Sequence, residues 1–566
     1  MKFKATKLLV FSLSLYFSCS STQTDENKII EADVCVYSAT ASGIMAALAV
    51  KKEGKSVVII EPSKWVGGIL GAGIKPIQDC PNFEAVGGTT KEIMKFLGTG
   101  QRNPLAEDSL RKLMRTMSPK QIREDFLQIL TENDIEVIYD HRVGWVNKFD
   151  NQISEVYFDY SPVDNTGCPT AEPNKVSDIK VVSKVYIDAG YEGELMARSA
   201  VSYRVGREST FDYNEPLAGV GPPTNVTPID PFIKEGDKMS GVLPLINDQL
   251  VQRQGVGDHY TQAYNFRYYT TDNPEYKADF GKPVDYDPAN YELVGRYVDY
   301  LKSEVKDPGE LAIRLRRIFP GWMNSGEYNY HRASLITMAP VGISHLYADG
   351  DYGTKAWVWK EHQNYLRGLK HFMSTDSRVP KKFREQTAEL GLDKRHHPET
   401  NGWPHQLYAR IARRLIGNYT ITSHDVYNET EIEDPIALAQ YGIDTYPSRR
   451  VWFEKDGKTY VALEGHMFVG GANGPTNVPY PISYRTIIPK RNECTNLLVP
   501  VCFSATHLGY ASARMEPVFM MVGESAGIAA IQAINEGVAV QEIDIKGYLD
   551  KLNKVGQKLY WKKGNR

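Results

Sequence analysis

The chain is short of net charge, of clustered cysteine and of long apolar runs. Its 66 Lys and Arg stand against 69 Asp and Glu, a formal charge of −3. That balance removes any long-range electrostatic reason to bind nucleic acid or an anionic membrane face. Six cysteines lie scattered over 566 residues with no CxxC pair, so neither a disulfide framework nor a zinc or other metal site is expected. No internal repeat or low-complexity tract is present. What remains is the composition of a globular protein, 42% hydrophobic and 24% charged, on a chain long enough to need two or more domains. Tyr is abundant, with 34 residues against 19 Phe and 8 Trp. Such amphipathic rings suit a polar-apolar cleft, including one that takes carbohydrate.

The first 19 residues follow a different logic. Lys2, Lys4 and Lys7 precede an apolar run from Leu8 to Phe17, followed by Ser18-Cys19. A basic start, a short apolar stretch and a small residue before the break describe an export signal, and the run is too short for a stable transmembrane anchor. Cys19, followed by the polar stretch Ser20 to Lys28, resembles a bacterial lipoprotein processing site, although Tyr16 stands where Leu is usual. Residues 1–19 are therefore expected to be a signal peptide and 20–30 a flexible tail. A lipid on Cys19 would be the sole membrane contact of a periplasmic or outer-membrane lipoprotein of a Gram-negative-type bacterium. The alternative is ordinary cleavage near Ser18 to Ser21 with a soluble product. The five other cysteines, Cys35, Cys80, Cys168, Cys494 and Cys502, are odd in number, and Cys35 falls in a buried strand, where a free thiol acts as a small hydrophobe.

Ala32 to Tyr37 reads as a buried strand, Ile44 to Val50 as a helix that stops near Gly54, and Val57 to Glu61 as a second strand. That is a βαβ unit. Ser118-Pro119 opens another helix, with Ser as cap and Pro in the first turn. Ile135 to Tyr139, the segments near Val143 and Val156, and Lys184 to Asp188 read as further strands. From about Val201 to Tyr480 the alternation lapses into a Tyr-, Pro-, Asn- and Trp-rich stretch with several helices, Asn401 to Ile416 among them. Asn496 to Val501 then reads as a strand, and Pro517 opens an apolar helix ending at Gly537. The expected architecture is α/β: a Rossmann-like domain assembled from residues 31–200 and 481–566, with a mixed α/β substrate domain, 201–480, inserted between them.

In a Rossmann-type unit the loop between strand and helix presents backbone N–H groups and the helix dipole to a pyrophosphate. Here that loop is Ser38-Ala39-Thr40-Ala41-Ser42-Gly43, and of the three fingerprint glycines only Gly43 is kept. Ser38 must therefore make the tight turn at a cost of about 1 kcal/mol if its φ is positive. Thr40 must turn its side chain aside or offer its hydroxyl to the phosphate. Glu61 ends the second strand 18 residues after Gly43, where a carboxylate accepts hydrogen bonds from a ribose diol. Gly67-Gly68 permits a second close backbone approach. The loop by itself also fits a plain βαβ turn; the acid and the paired glycines favour a dinucleotide. Ser38, Thr40, Ser42, Gly43, Glu61, Gly67, Gly68, Val143, Ala189, Glu516 and Pro517 make up the expected cofactor-binding set.

Longer motifs carry a resemblance. Asp188 to Arg198 (DAGYEGELMAR) is similar to DATYEGDLMAR, and Ser202 to Ser209, Gln262 to Arg267, Gly402 to Leu407, Tyr480 to Arg485 and Asn496 to Pro517 continue the match. With these the chain resembles the FAD-dependent oxidoreductases of the glutathione-reductase-like class, in particular a bacterial group often mislabelled as xanthan lyases. The departures are Ser38 for the first glycine, Gly190 for Thr and Glu194 for Asp. The resemblance covers Asp33 to about Gln557 and implies FAD as cofactor, with the C-terminal segment completing its site.

A flavin brings the redox chemistry; the protein brings position and electrostatics. Reduced flavin is anionic at its pyrimidine end, and the helix start at Glu516-Pro517 with Arg514 is suited to stabilise it; Arg514 could equally pair with Glu516. Oxidation of an alcohol or amine needs a base. His507, in the motif expected to touch the flavin, leads; His424 and His405 follow. Tyr191 and Glu192 follow a strand at the ligand-facing edge of the sheet, and Arg485 and Arg267 suit an anionic or polyhydroxylated substrate unless they serve as salt-bridge partners. The expectation is an FAD-dependent oxidoreductase acting on a small polar, carbohydrate-like molecule, its electron acceptor unidentified. The alternatives are a non-catalytic carbohydrate-binding lipoprotein on a decayed flavin fold, and a polysaccharide lyase.

Overall fold

The structure is a computed structural model, and it describes residues 28–561 apart from 115, 320–325, 329–333 and 471–477. The expected signal peptide, Cys19 and most of the tail lie outside the described residues.

The first strand, β1 (Lys28–Tyr37), starts within the expected tail and is buried from Val34 onward. Helix α1 (Ala41–Lys52) follows, then β2 (Val57–Ile60). Helix α2 (Pro119–Glu132) starts after Ser118, but the Ser118 hydroxyl bonds to His396 and not to its own helix. Next come β3 (Glu136–Ile138), β4 (His141–Phe149), β5 (Gln152–Tyr160) and the long β6 (Lys175–Asp188). The sheet runs β3-β2-β1-β6-β5-β4. β3, β2, β1 and β6 are parallel, whereas β4 and β5 form an antiparallel meander on the N-terminal half of β6.

The C-terminal half of β6 takes another neighbour, β7 (Leu497–Leu498), with Leu497 opposite Tyr186. β7 is shorter than the expected Asn496 to Val501. The Asn496 side chain is spent on both backbone groups of Ile153, and Pro500 has no N–H to continue the ladder. Two helices follow, α6 (His507–Ala513) and α7 (Glu516–Glu536), the latter with Pro517 in its first turn and Gly537 as left-handed cap. α7 is long and apolar enough to cross a membrane by composition, yet it is buried in the body of the protein. It lies along α1: a Cβ on Gly523 would stand 2.2 Å from the Ser42 carbonyl, and one on Gly527 2.4 Å from that of Ala46. Only glycine lets the two backbones come this close.

The intervening stretch mixes helices with small sheets, including a four-stranded one built on the hairpin Arg449–Lys455 and Lys458–Glu464. Two of its helices, α8 and α9 here, matter below: α8 (Ser344–Ala348) and α9 (Tyr352–Thr375). The expected helix from Asn401 to Ile416 is absent; only a two-residue strand, Arg414–Leu415, is regular there. Gly402 is left-handed at φ +92°, Pro404 cannot donate, and three buried arginines pull the chain to separate partners. Arg410 reaches the Ala263 carbonyl, Arg413 reaches Asp349, and Arg414 reaches Glu208.

Candidate functional site

Ser38 does take positive φ, at +78°. The strain of a non-glycine residue there, about 1–2 kcal/mol, is offset locally by Glu61. One carboxylate oxygen of Glu61 accepts from Ala39 N–H at 2.6 Å and the Ser38 hydroxyl at 3.2 Å; the other accepts from the Ser63 N–H and hydroxyl. Glu61 is thus a buried acceptor that ties its own loop together, and burial still holds its pKa above the ordinary carboxylate range. Thr40 turns aside: its hydroxyl donates to the Ala189 carbonyl at 2.8 Å and caps α1 by accepting from Gly43 N–H. Ala189 in turn donates its N–H to the Tyr37 carbonyl. A Cβ on Gly43 would stand 2.1 Å from the Ser38 carbonyl. Gly67 and Gly68 are both left-handed, and Gly67 N–H donates to the Ala39 carbonyl at 2.7 Å, joining the two glycine turns.

The start of α7 meets this region through Tyr191. Its hydroxyl donates to Glu516 Oε1 at 2.8 Å and accepts from Ile69 N–H at 3.1 Å. Glu516 Oε2 is buried without a partner. Burial, with Asp79 adding to it, pushes this carboxyl up to about 8 against the opposing Tyr191 bond, so it holds a proton at neutral pH. Arg514 does not pair with Glu516. Its guanidinium donates to the Tyr408 hydroxyl at 2.9 Å and the Asp444 carbonyl at 3.0 Å.

A narrow cleft of about 100 Å³ runs past Ser38 and Glu61 to Tyr191, Glu192 and His405. His405 is stacked on Trp65, with ring centroids 4.6 Å apart. Glu192 accepts from the Tyr347 hydroxyl. His507 is placed elsewhere: it opens α6, seven residues long and about 10 Å from end to end, whose far end leads to Arg514. It lines a separate cavity with Arg207, and burial, then the charges of Arg414 and Arg207, keep it neutral. His424 sits near the surface between Glu429 and the Asn214 carbonyl. Arg485 is a salt-bridge partner, forked onto Asp434 at 3.0 Å through both Nε and Nη2. Arg267 is buried against Gly73 and the face of Tyr408. The Val143 carbonyl accepts from the Tyr352 hydroxyl at 2.8 Å. Sequence reasoning missed the residues that line the far side of the cleft, Tyr352, Lys355 and Trp359; their i, i+3, i+7 spacing in YGTKAWVW was the available signal.

The donor set fits a dinucleotide. Arg142 Nε and the Trp359 indole N–H on the cleft, and Glu516 Oε2 at the start of α7, are buried without a protein partner, polar atoms of the kind that a dinucleotide's acceptors and hydroxyls would take.

No curated protein matches the sequence. Among solved structures the chain is similar to THI4 from Thermovibrio ammonificans, at 14% identity over 31% of this chain and 66% of that one, with a TM-score of 0.20. It is also similar to p-nitrophenol 4-monooxygenase from Pseudomonas putida, at 15% identity over 32% and 46% of the two chains, TM-score 0.20. A third is thioredoxin reductase from Streptococcus pyogenes, at 16% identity over 31% and 37%, TM-score 0.15. The chain thus spans less than two thirds of each of these structures. The sequence profile of the FAD dependent oxidoreductase family matches residues 33–554, nearly all of the described chain. The protein belongs to the FAD-dependent oxidoreductase family, and its cofactor is FAD.

Proposed function

We propose that the protein oxidises a small polar, carbohydrate-like substrate, with hydride passing to FAD. In this reading residues 31–200 and 481–566 form one FAD-binding domain and 201–480 the substrate domain. Bound FAD supplies the two-electron acceptor. The observation that carries the reading is the Tyr191–Glu516 pair. A buried carboxyl, protonated at neutral pH and hydrogen-bonded to a phenol that also touches Ile69 N–H, sits beside the second glycine turn. Such a group can hold or release a proton at its unpartnered Oε2. Trp403, Tyr264 and Tyr268, all buried in the middle segment, give that domain a rigid aromatic frame.

The test is anaerobic. The mature chain, loaded with FAD, is mixed with a panel of sugars, polyols, hydroxy acids and amines, and bleaching of the flavin band is followed. Reduction by a sugar or polyol is expected, and Glu516→Gln should slow it. Reduction by dithionite but by no sugar or polyol refutes the substrate class.

The export reading is also part of the proposal: a lipoprotein anchored through Cys19 in the periplasm or at the outer membrane. Wild-type protein should fractionate with membranes, and Cys19→Ala should be soluble or unprocessed. Equal fractionation of the two would replace the lipid by ordinary signal cleavage.

A further inference from the structure

The cleft has two walls of different origin. One is the dinucleotide layer, with Ser38 and Glu61. The other is one face of α9, where Tyr352, Lys355 and Trp359 recur at helical spacing and all line the cleft. Helix α9 is seated firmly. Asp351 caps it by accepting from Thr354 N–H at 2.7 Å. The Tyr352 hydroxyl is tied to the Val143 carbonyl on β4, and the Arg142 guanidinium lies 4.0 Å from the Tyr352 ring centroid. Lys355 is buried and paired with Glu194, which also accepts from Arg413 at 2.9 Å.

Two buried donors on this cleft are left over. Arg142 spends its terminal nitrogens on the Thr170 and Ala171 carbonyls, while its Nε has no partner. The Trp359 indole N–H has none either, and the residue is 4% exposed. A buried donor without an acceptor is left unsatisfied at a cost to the fold, so a cleft lined by two of them is shaped for a ligand rich in acceptors. An adenine nucleotide is such a ligand: its ring nitrogens and phosphate oxygens accept, and its flat purine suits a compartment walled by guanidinium and aromatic planes.

We propose that the Tyr352–Lys355–Trp359 face of α9, together with Arg142, holds the AMP half of FAD. The middle segment then does more than bind substrate: it supplies the discrimination of FAD from FMN, and cofactor loading fastens it to the dinucleotide layer. The proposal rests on FAD being the cofactor, and it assigns residues outside the phosphate loop.

The experiment uses the full mature chain stripped of flavin, with FAD, FMN and ADP as probes. Flavin-fluorescence titration should show that Trp359→Phe, which keeps the ring and removes the donor, weakens FAD by about threefold to tenfold. FMN affinity should not change. ADP should compete with FAD, and ADP, unlike FMN, should slow amide exchange in the first turns of α9. The proposal is overturned if Trp359→Phe leaves FAD affinity as it was, or weakens FAD and FMN by the same factor. It is overturned equally if ADP binds alongside FAD, which would make the cleft a separate nucleotide site, or leaves α9 exchange unchanged. Failure of wild type to bind any flavin would bring down the cofactor assignment first.

Discussion

Replacing Glu516 by Gln converts the acid-base reading of the site into a stability measurement. The Glu516 carboxyl stands at about 8 in the folded chain against 4.5 for the free side chain, chiefly through burial, with Asp79 adding to it and Tyr191 opposing. Between those values the folded chain keeps a proton that the unfolded chain has lost, so stability falls as pH rises. The contribution is complete below about pH 4.5 and gone above about pH 8. At about 1.36 kcal/mol per pKa unit, the loss between pH 5 and pH 8 is about 3.5 kcal/mol. Gln keeps an oxygen for the Tyr191 hydroxyl and does not titrate. The stability difference between variant and wild type should therefore swing by about that amount toward the variant over the same interval. Thermal unfolding of the flavin-free chain across pH measures it. Asp188, raised to about 6 by burial, titrates in the same window, so the comparison must be between variants and not of wild type alone. In the infrared, a protonated-carboxyl band present at pH 7 should be missing in Glu516→Gln. Parallel pH profiles together with unchanged infrared spectra would show that Glu516 is ionised, and the proton-holding role would fall with it.

Glu61→Gln puts an amide where four hydrogen bonds end on a carboxylate. It should lower the melting temperature even without flavin and weaken FAD at least about tenfold, since bonds to a charged acceptor are worth about 1.5–3 kcal/mol each; an unchanged flavin-free melting temperature would show that the loop does not depend on the acid. Gly523→Ala should part α7 from α1, costing about 1–3 kcal/mol or more through overpacking and reducing flavin content. Gly537→Ala, left-handed but with nothing within 4 Å, should cost only about 1 kcal/mol and leave the flavin in place; equal effects of the two would refute the close-approach argument.

What was legible in the sequence is what is decided locally. Short unbroken apolar runs at Val34 to Tyr37 and Val57 to Ile60 read as buried parallel strands, and they pair in register. Pro517 and Gly537 bracket α7 because one needs no N–H and the other accepts a left-handed φ. The positive φ at Ser38 followed from the turn the fingerprint requires. Glu61 was read as the acceptor for a ribose diol, and nothing local revealed that Ser38, Ala39 and Ser63 supply donors to both its oxygens. The stretch 401–416 failed because its arginines answer to Asp349, Glu208 and Ala263, partners that no window around them contains. That His507 lies away from the cleft at Ser38 and Glu61 was hidden for a related reason. Sharing a motif with Arg514 was taken as nearness to the cleft, but His507 opens α6 and lines a cavity with Arg207. The α9 wall is the extreme case. Tyr352 meets Val143 across 209 residues of chain, so only the folded protein shows that the same cleft is lined from both sides. A helix face of Tyr, Lys and Trp reads equally well as core, as substrate cleft or as cofactor wall; the unpartnered Trp359 and Arg142 nitrogens are what separate these readings, and they exist only once both walls are in place.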